Sequence, residues 1–168
     1  KSGEKLTIYW GADPTSQDIH LGHSTNFFVL RRFQNLGHKV IILVGDYTAQ
    51  IGDPSGLDKS RKVLTEGEVK HNYKTYKKQI LKILDSEKTT FRFNSEWWNK
   101  ISAKRLLELD RLFTHQQVIE RDMFQRRINS KMPISFLELQ YPLLQGYDSV
   151  ALKTDVELGA TDQLFNML

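Results

Sequence analysis

The sequence contains no cysteine, no apolar run long enough to cross a membrane, and no signal-peptide pattern at its start. The absence of cysteine excludes a disulfide framework and is compatible with a cytoplasmic protein, which is the location we expect. Without an apolar span we also expect no membrane partner. These absences exclude secreted disulfide-rich proteins and membrane proteins from the classes to be considered.

The residues that are present are typical of a globular chain. Hydrophobic residues make up 39% and charged residues 26% of the 168 positions, enough for a sizeable core. The formal net charge of +4 suits an RNA or nucleotide partner without requiring one. The chain begins with Lys1 and ends at Leu168 inside an apolar helical pattern. We therefore expect a single partial domain, 1–168, of a longer protein.

The first 45 residues predict a βαβ unit. Residues 6–10 have a strand pattern, a helical pattern follows from His20 to Phe33, and residues 39–44 form an aliphatic run typical of a strand buried on both faces. The crossover of such a unit is right-handed. Because ligands bind at the carboxyl ends of parallel strands, we expect the loops 11–22 and 45–56 to form the site.

Two histidines, His20 and His23, open the first helical pattern with Gly22 between them. Side chains three residues apart lie on one face of a helix, where the unpaired N–H groups of the first turn favour an anion. The glycine lets a flat ring pack against the backbone. Alone, such a pair would be a surface feature or a helix cap. With no third ligand at a recognisable spacing, we expect no metal site here.

The order Gly11-Ala12-Asp13-Pro14-Thr15 and then His20-Leu21-Gly22-His23 resembles the first signature of the class I aminoacyl-tRNA synthetases, in the form found in bacterial tyrosyl-tRNA synthetases. The resemblance implies an α/β fold, a Rossmann-like doubly wound parallel sheet with a helical insertion. It also implies a tyrosine–tRNA ligase that activates L-tyrosine with ATP to tyrosyl-adenylate and transfers the tyrosine to the 3′ end of tRNA(Tyr). ATP with Mg²⁺ would be a substrate, with no tightly bound cofactor.

The resemblance also assigns nucleotide-side roles to residues at the two ends of the chain. It implies that Thr15, His20 and His23 stabilise the reacting α-phosphate. The motif at 159–163 usually carries two glycines where this chain has Gly159 and Ala160, so a methyl group stands on the adenosine side. The residue matching Asp162 would hold the ribose hydroxyls, and Gln163 would lie near the reacting carboxylate. The expected ATP-binding residues are Gly11, Asp13, His20, Gly22, His23, Gly159, Asp162 and Gln163.

The loop at 45–56 is rich in glycine and carboxylates, and by composition alone it could be a simple connector. Its pattern nevertheless matches the corresponding synthetase loop. The resemblance implies that Asp53 holds the amino group of tyrosine with Thr48 beside it. It also places Arg61 where the family has a basic residue facing phosphate or tRNA.

Tyr141, Gln145 and Asp148 fall at i, i+4 and i+7 of a helical pattern, so they share one stripe. The simpler interpretation is an amphipathic helix with its polar face outward. By resemblance, Tyr141 and Gln145 contact the amino group of tyrosine, whereas Asp148 and Tyr9 contact its phenolic hydroxyl. This stripe distinguishes tyrosine enzymes from tryptophan enzymes.

Between these motifs the pattern predicts a helix at 65–84 with a solvated lysine face, a strand at 90–93, and helices at 102–111 and 116–128. By resemblance, about 65–140 includes the helical insertion through which these enzymes form homodimers.

Lys131-Met132-Pro133 resembles the second family signature, but Ser135 and Glu138 are better explained as a capping box. We expect that second signature and the anticodon-binding domains beyond residue 168. The pattern also predicts a strand at 150–153.

Two alternatives remain open from the sequence. A small nucleotidyltransferase also uses His-x-Gly-His on a similar fold, although it would need neither the Asp-Pro-Thr turn nor the polar stripe. A non-catalytic synthetase-like paralogue that binds RNA or protein would keep the fold and could lose ATP binding. The intact His20, Gly22 and His23 argue against the second alternative.

Overall fold

The structure, a computed structural model, describes residues 3–54 and 64–167. Arg61 lies outside this range, and the side chain of Asp162 is also outside the described part. The elements in chain order are β1 (Thr7–Ala12), α1 (Leu21–Asn35), β2 (Lys39–Val44), α2 (Glu66–Ile80), β3 (Thr89–Phe93), α3 (Ser95–Trp98), α4 (Ala103–Asp110), α5 (His115–Ile119), α6 (Asp122–Asn129), α7 (Phe136–Leu152), β4 (Val156–Glu157) and α8 (Leu164–Met167). None of the described helices is long and apolar enough to cross a membrane.

The four strands form one parallel sheet in the order β3-β2-β1-β4. The chain steps outward from β1 to β2 to β3 and then returns to the other side of β1. The connections that follow β1 and β4 therefore diverge, and a crevice opens between them at the carboxyl ends of the strands. The expected parallel α/β sheet is confirmed.

The sheet buries both of its faces, because alternate residues of each strand point to opposite sides. On one face, Ile8 and Val40 pack with Phe27 of α1 and Ile80 of α2. On the other face, Tyr9 and Leu43 pack with Leu152 of α7. Helices therefore cover both sides, as a doubly wound fold requires.

Helix α2 confirms the amphipathic prediction for this part of the chain, except that the α-helix ends at Ile80 rather than residue 84. Thr65 and Glu68 form the expected capping box. Val69 and Tyr76 are buried, and Tyr76 packs with the strand residues of the core. The lysines of the opposite face are exposed, in agreement with a solvated surface: Lys70, Lys74, Lys77, Lys78 and Lys82.

The single helix expected at 116–128 is wrong, because the chain forms two short helices, α5 and α6, in its place. The break lies at Arg121, whose ψ of 139° leaves the helical region and makes it the N-cap of α6. The change of direction buries Phe124 completely and brings Arg127 to the carboxylate of Glu138. Arg127 also donates to the Pro133 carbonyl. The break is explained by the burial of these two side chains against other segments of the chain. The spacing of residues within the helix does not indicate such contacts.

The strand expected at 150–153 is also wrong, because α7 continues through Leu152 and ends where Lys153 takes a left-handed conformation, with φ of 52°. Leu152 lies one helical turn beyond Asp148 and is buried against the sheet. This packing outweighs the local strand preference of Val150. The strand β4 begins only at Val156.

The Ser135–Glu138 capping box at the start of α7 is confirmed. The preceding turn, residues 131–135, is fastened by Arg127 and contributes nothing to the large cleft described below. This placement agrees with the interpretation that the segment is not the second family signature.

Candidate active site

A cleft of about 610 Å³ lies at the carboxyl ends of β1, β2 and β4. Its walls come from the loops that follow these strands and from one face of α7. The cleft brings together all the predicted site residues whose side chains are described: Tyr9, Gly11, Asp13, Thr15, His20, Gly22, His23, Thr48, Asp53, Tyr141, Gln145, Asp148, Gly159 and Gln163. Residues scattered over most of the chain thus share one cavity.

The two histidines form one wall of the cleft. His20 is the N-cap residue of α1, so the helix begins at Leu21, and His23 lies in its first turn. Their rings stack with centroids 3.8 Å apart. The rings of Trp10 and His23 form a T-shaped pair with centroids 5.7 Å apart. A side chain on Gly22 would approach the His20 ring within 2.9 Å. The glycine is therefore required for the stacked arrangement.

Asp13 is half-buried, and its carboxyl group is hydrogen-bonded on both oxygens. One accepts from the Thr48 hydroxyl at 2.6 Å and the other from the Tyr141 hydroxyl at 2.9 Å. A Cβ at Gly45 would overlap this carboxylate, so the close approach of the two loops needs a glycine there. Burial raises the pKa of Asp13 to about 7, and the nearby charge of Asp53 adds to the increase. Asp13 thus contacts residues expected on the amino-acid side rather than the nucleotide side.

Asp148 lies at the far end of the cleft with its carboxylate held by three donors. The indole N–H groups of Trp97 and Trp98 each donate at 2.8 Å, and the Asn94 amide donates at 3.1 Å. Burial raises the pKa of Asp148 to about 6, although these hydrogen bonds counteract the increase. Asn94 also donates to Thr48 at 2.9 Å, which joins the two acidic sites in one network.

The hydroxyl of Tyr9 contacts Ser149 at 2.6 Å, and Ser149 in turn donates to Glu157 at 2.7 Å. Burial and the neighbouring Glu157 raise the pKa of Tyr9, so the phenol stays protonated. Tyr9 and Asp148 therefore present a hydroxyl and a carboxylate at the same end of the cleft.

The polar stripe of α7 faces the cleft. Tyr141 and Asp148 are buried and Gln145 is half-buried, and all three line the cavity. The intervening Leu143 and Leu144 point away and pack with Trp98 and Leu109. The simpler interpretation, in which the polar face of this helix is turned outward, is therefore wrong.

Comparison with known proteins agrees with this geometry. The family model described as tRNA synthetases class I (W and Y) matches residues 1–168. The chain belongs to this family. It resembles the catalytic portion of bacterial tyrosyl-tRNA synthetases, and the nucleotidyltransferase alternative is set aside.

Individual relatives place the chain among the tyrosine enzymes of the family. A tyrosine–tRNA ligase of Oleidesulfovibrio alaskensis is 54% identical over 99% of this chain and 42% of its own length. One of Geobacter sulfurreducens is 51% identical over 100% of this chain and 42% of its own length. Among solved structures, a C-terminally truncated mitochondrial tyrosyl-tRNA synthetase of Aspergillus nidulans matches with a TM-score of 0.87 and 28% identity, over 98% of this chain and 51% of that one. The chain spans about two fifths of the curated relatives it matches.

In this synthetase chain, Gln163 closes the cleft from the side of β4. Its amide donates to Asp53 at 3.3 Å, and Asn166 donates to its carbonyl at 3.2 Å. This contact joins the loop after β2 to the motif at 159–163. Ala160 is exposed and lines the cleft.

The residues that hold Asp148 are not among those predicted from the sequence. Trp97, Trp98 and Asn94 all donate to this carboxylate, which lines the cleft. Asn94 is fully buried. A buried amide directly after a predicted strand, followed by two indoles, is a signal that could have indicated a polar partner, because buried polar groups are almost always paired.

Within the described ranges of this synthetase chain, no three histidine, aspartate or glutamate side chains are grouped so that they could hold a metal ion. We therefore assign no residue to a resident metal.

Proposed function

We propose that the protein containing this chain is a tyrosine–tRNA ligase. It would activate L-tyrosine with ATP and transfer the tyrosine to the 3′ end of tRNA(Tyr). One observation carries the proposal. The acidic and hydroxyl groups that suit tyrosine, Asp148 and Tyr141, lie in the same cleft as the stacked His20 and His23.

The activation step needs neither a covalent enzyme intermediate nor a general base. A carboxylate oxygen of tyrosine attacks the α-phosphorus, the bond from that phosphorus to the bridging oxygen breaks, and pyrophosphate leaves with the electron pair. Tyrosyl-adenylate remains. In the second step a ribose hydroxyl of the tRNA 3′ end attacks the tyrosyl carbonyl carbon and releases its proton to water. The bond from that carbon to the phosphate oxygen breaks, and AMP leaves with the electron pair. ATP would enter with Mg²⁺ as part of the substrate.

The chain's own residues would contribute positioning and charge stabilisation. His20, His23 and Thr15 lie on the wall where the α-phosphate would gain negative charge, next to the N-terminus of α1. Gly11, Gly159 and Gln163 would contact the adenosine and the reacting carboxylate. The role of Asp162 in holding the ribose remains a prediction from the family resemblance.

The charges of the cleft support an ammonium-bearing substrate. Asp13 and Asp53 lie close enough for the charge of one to raise the pKa of the other. A cationic amino group between them would relieve this repulsion and form charge-assisted hydrogen bonds. Tyr141 and Gln145 lie beside it, and Asp148 and Tyr9 are then left for the phenolic hydroxyl.

Tyrosine-dependent exchange of pyrophosphate into ATP by the full-length protein tests this proposal. We expect exchange with tyrosine and none with tryptophan or with ATP alone. Exchange with tryptophan would place the protein in the other branch of the family. RNA binding without any exchange would identify a non-catalytic paralogue and contradict the proposal.

Tyrosine affinity should increase as the pH is raised from about 5.5 to about 8. The pKa of Asp148 is about 6 and that of Asp13 about 7, so both groups gain negative charge over this range. The charged Asp13 attracts the tyrosine ammonium more strongly, and the charged Asp148 is the better acceptor for the phenolic hydroxyl. If the bound cation lowers the pKa of Asp13 by about one unit, affinity rises by about tenfold. Equilibrium dialysis at a series of pH values measures the effect.

Asp13→Asn is the matched variant for the pH experiment, because it removes the group that titrates near pH 7. We expect the remaining pH dependence to follow Asp148 alone. A dissociation constant that is constant across the range in the unaltered protein would contradict the assignment of Asp13 to the amino group.

The partners proposed for the full protein are tRNA(Tyr) and a second copy of itself, and its activity would belong to the cytoplasm. Support for a homodimer comes from apolar side chains exposed in the helical region: Leu107, Leu112, Phe113 and Phe136. Sedimentation equilibrium of the full-length protein would measure the oligomeric state.

A further inference from the structure

The turn between β1 and α1, residues 13–20, carries Thr15 and His20 but has no regular secondary structure. Its internal bonds are few. The amide of Thr15 donates to the Asp13 carbonyl at 2.8 Å, and the Ser16 hydroxyl donates to the Asp18 carbonyl at 2.8 Å. His20, the N-cap residue of α1, makes no side-chain capping hydrogen bond. The geometry of this turn must therefore be fixed from outside.

One face of α2 supplies that support. The Asn72 amide donates to the Pro14 carbonyl at 2.9 Å, and the Thr75 hydroxyl donates to the Gln17 carbonyl. Asn72, Thr75 and Gln79 are three and four residues apart, so they form one stripe along the helix. The same helix packs against the sheet through Tyr76 and Ile80. Helix α2 therefore holds the turn in a fixed position relative to the sheet that forms the floor of the cleft.

Gln79 makes the contact nearest to the histidines. Its side-chain oxygen accepts from the Ile19 amide at 3.0 Å, and its side-chain nitrogen donates to the Gln17 carbonyl at 3.1 Å and to the Asp18 carboxylate at 3.2 Å. One amide group thus joins three consecutive residues of the turn. The last of them, Ile19, is bonded directly to His20.

We infer that Gln79 is a positioning residue for adenylate formation, acting through the backbone that carries His20. This inference rests on the proposed function. An amide is needed at this position because the turn offers both an N–H donor and a C=O acceptor. A carboxylate can pair only with the donor, and a hydrocarbon can pair with neither. A shift of His20 by about 1 Å is enough to slow catalysis by about 100-fold.

Variants of Gln79 in the full-length protein test the inference. Gln79→Leu removes all three hydrogen bonds, and we expect the single-turnover rate of tyrosyl-adenylate formation to fall by about 10- to 100-fold. The tyrosine dissociation constant should change by less than about twofold, because the tyrosine pocket is built from other elements. Gln79→Glu keeps the acceptor for Ile19 but places a carboxylate oxygen against the Gln17 carbonyl and the Asp18 carboxylate, so it should also react about 10- to 100-fold more slowly. It also serves as the test if Gln79→Leu does not fold.

The matched control is Lys78→Leu, which adds the same side chain to the exposed face of α2 without touching the turn. It should react at the unaltered rate. A wild-type rate in Gln79→Leu would overturn the inference and leave the proposed function intact. Parallel losses of rate, tyrosine affinity and thermal stability would also overturn it, since they indicate a merely structural role. Absence of any tyrosine-dependent reaction in the unaltered protein would overturn the proposed function and this inference together.

Discussion

Replacing His20 or His23 by alanine should lower the rate of tyrosyl-adenylate formation by roughly 100- to 1,000-fold, the effect of losing one preorganised donor to a transition-state oxyanion. The dissociation constants of tyrosine and ATP should change by less than about threefold, because the imidazoles would act on charge that develops only during the reaction. Single-turnover kinetics with the full-length protein, combined with equilibrium binding, separates the two quantities.

The stacking of the two rings adds a second expectation. Because the centroids lie only 3.8 Å apart, each ring supports the position of the other. The double variant should therefore lose less than the product of the two single losses. His71→Ala is the control, since His71 is exposed on α2 and outside the cleft. If tyrosine binding fails while the single-turnover rate is unchanged, the histidines do not act on the transition state.

Asp148→Asn should reduce activation of tyrosine by about 10- to 100-fold more than activation of phenylalanine. A buried polar group left without its partner costs about 1–3 kcal/mol, and only tyrosine offers a hydroxyl to this carboxylate. Pyrophosphate exchange with the two amino acids gives the ratio directly. The ratio matters more than either rate, because the variant also disturbs the hydrogen bonds from Trp97 and Trp98.

A general loss of structure would reduce both amino acids equally, so an unchanged ratio would assign Asp148 a purely structural role. Asp155→Asn is a suitable control. Its carboxylate accepts from the Thr7 amide at 2.8 Å, at the amino end of β1 and away from the cleft. We expect neither the rates nor the ratio to change in that variant.

The βαβ unit and the capping boxes could be predicted from the sequence because they depend on local patterns. Continuous apolar runs indicate strands buried on both faces, and Thr65 with Glu68 satisfies the first amide groups of its own helix. The positions of His20, His23 and the polar stripe of α7 also followed from spacing, since helical periodicity alone places side chains on one face.

The tertiary structure decided whatever depends on partners distant in the chain. Val150 has a β-branched side chain that favours a strand, yet packing of Leu152 against Tyr9 and Leu43 keeps this segment helical. The pairing of Asp13 with Thr48 and Tyr141 also joins distant segments.

The hydrogen bonds from α2 to the turn at residues 13–20 also depend on partners that are distant in the chain. Nothing in the local pattern of α2 indicates that Gln79 bridges residues 17–19, some sixty positions earlier. The sequence determined which faces are buried and which loops meet at the carboxyl ends of the strands. The tertiary structure decided which polar groups at these strand ends form hydrogen bonds with each other. The reason is that a buried polar group binds whichever complementary group the packing brings within about 3 Å.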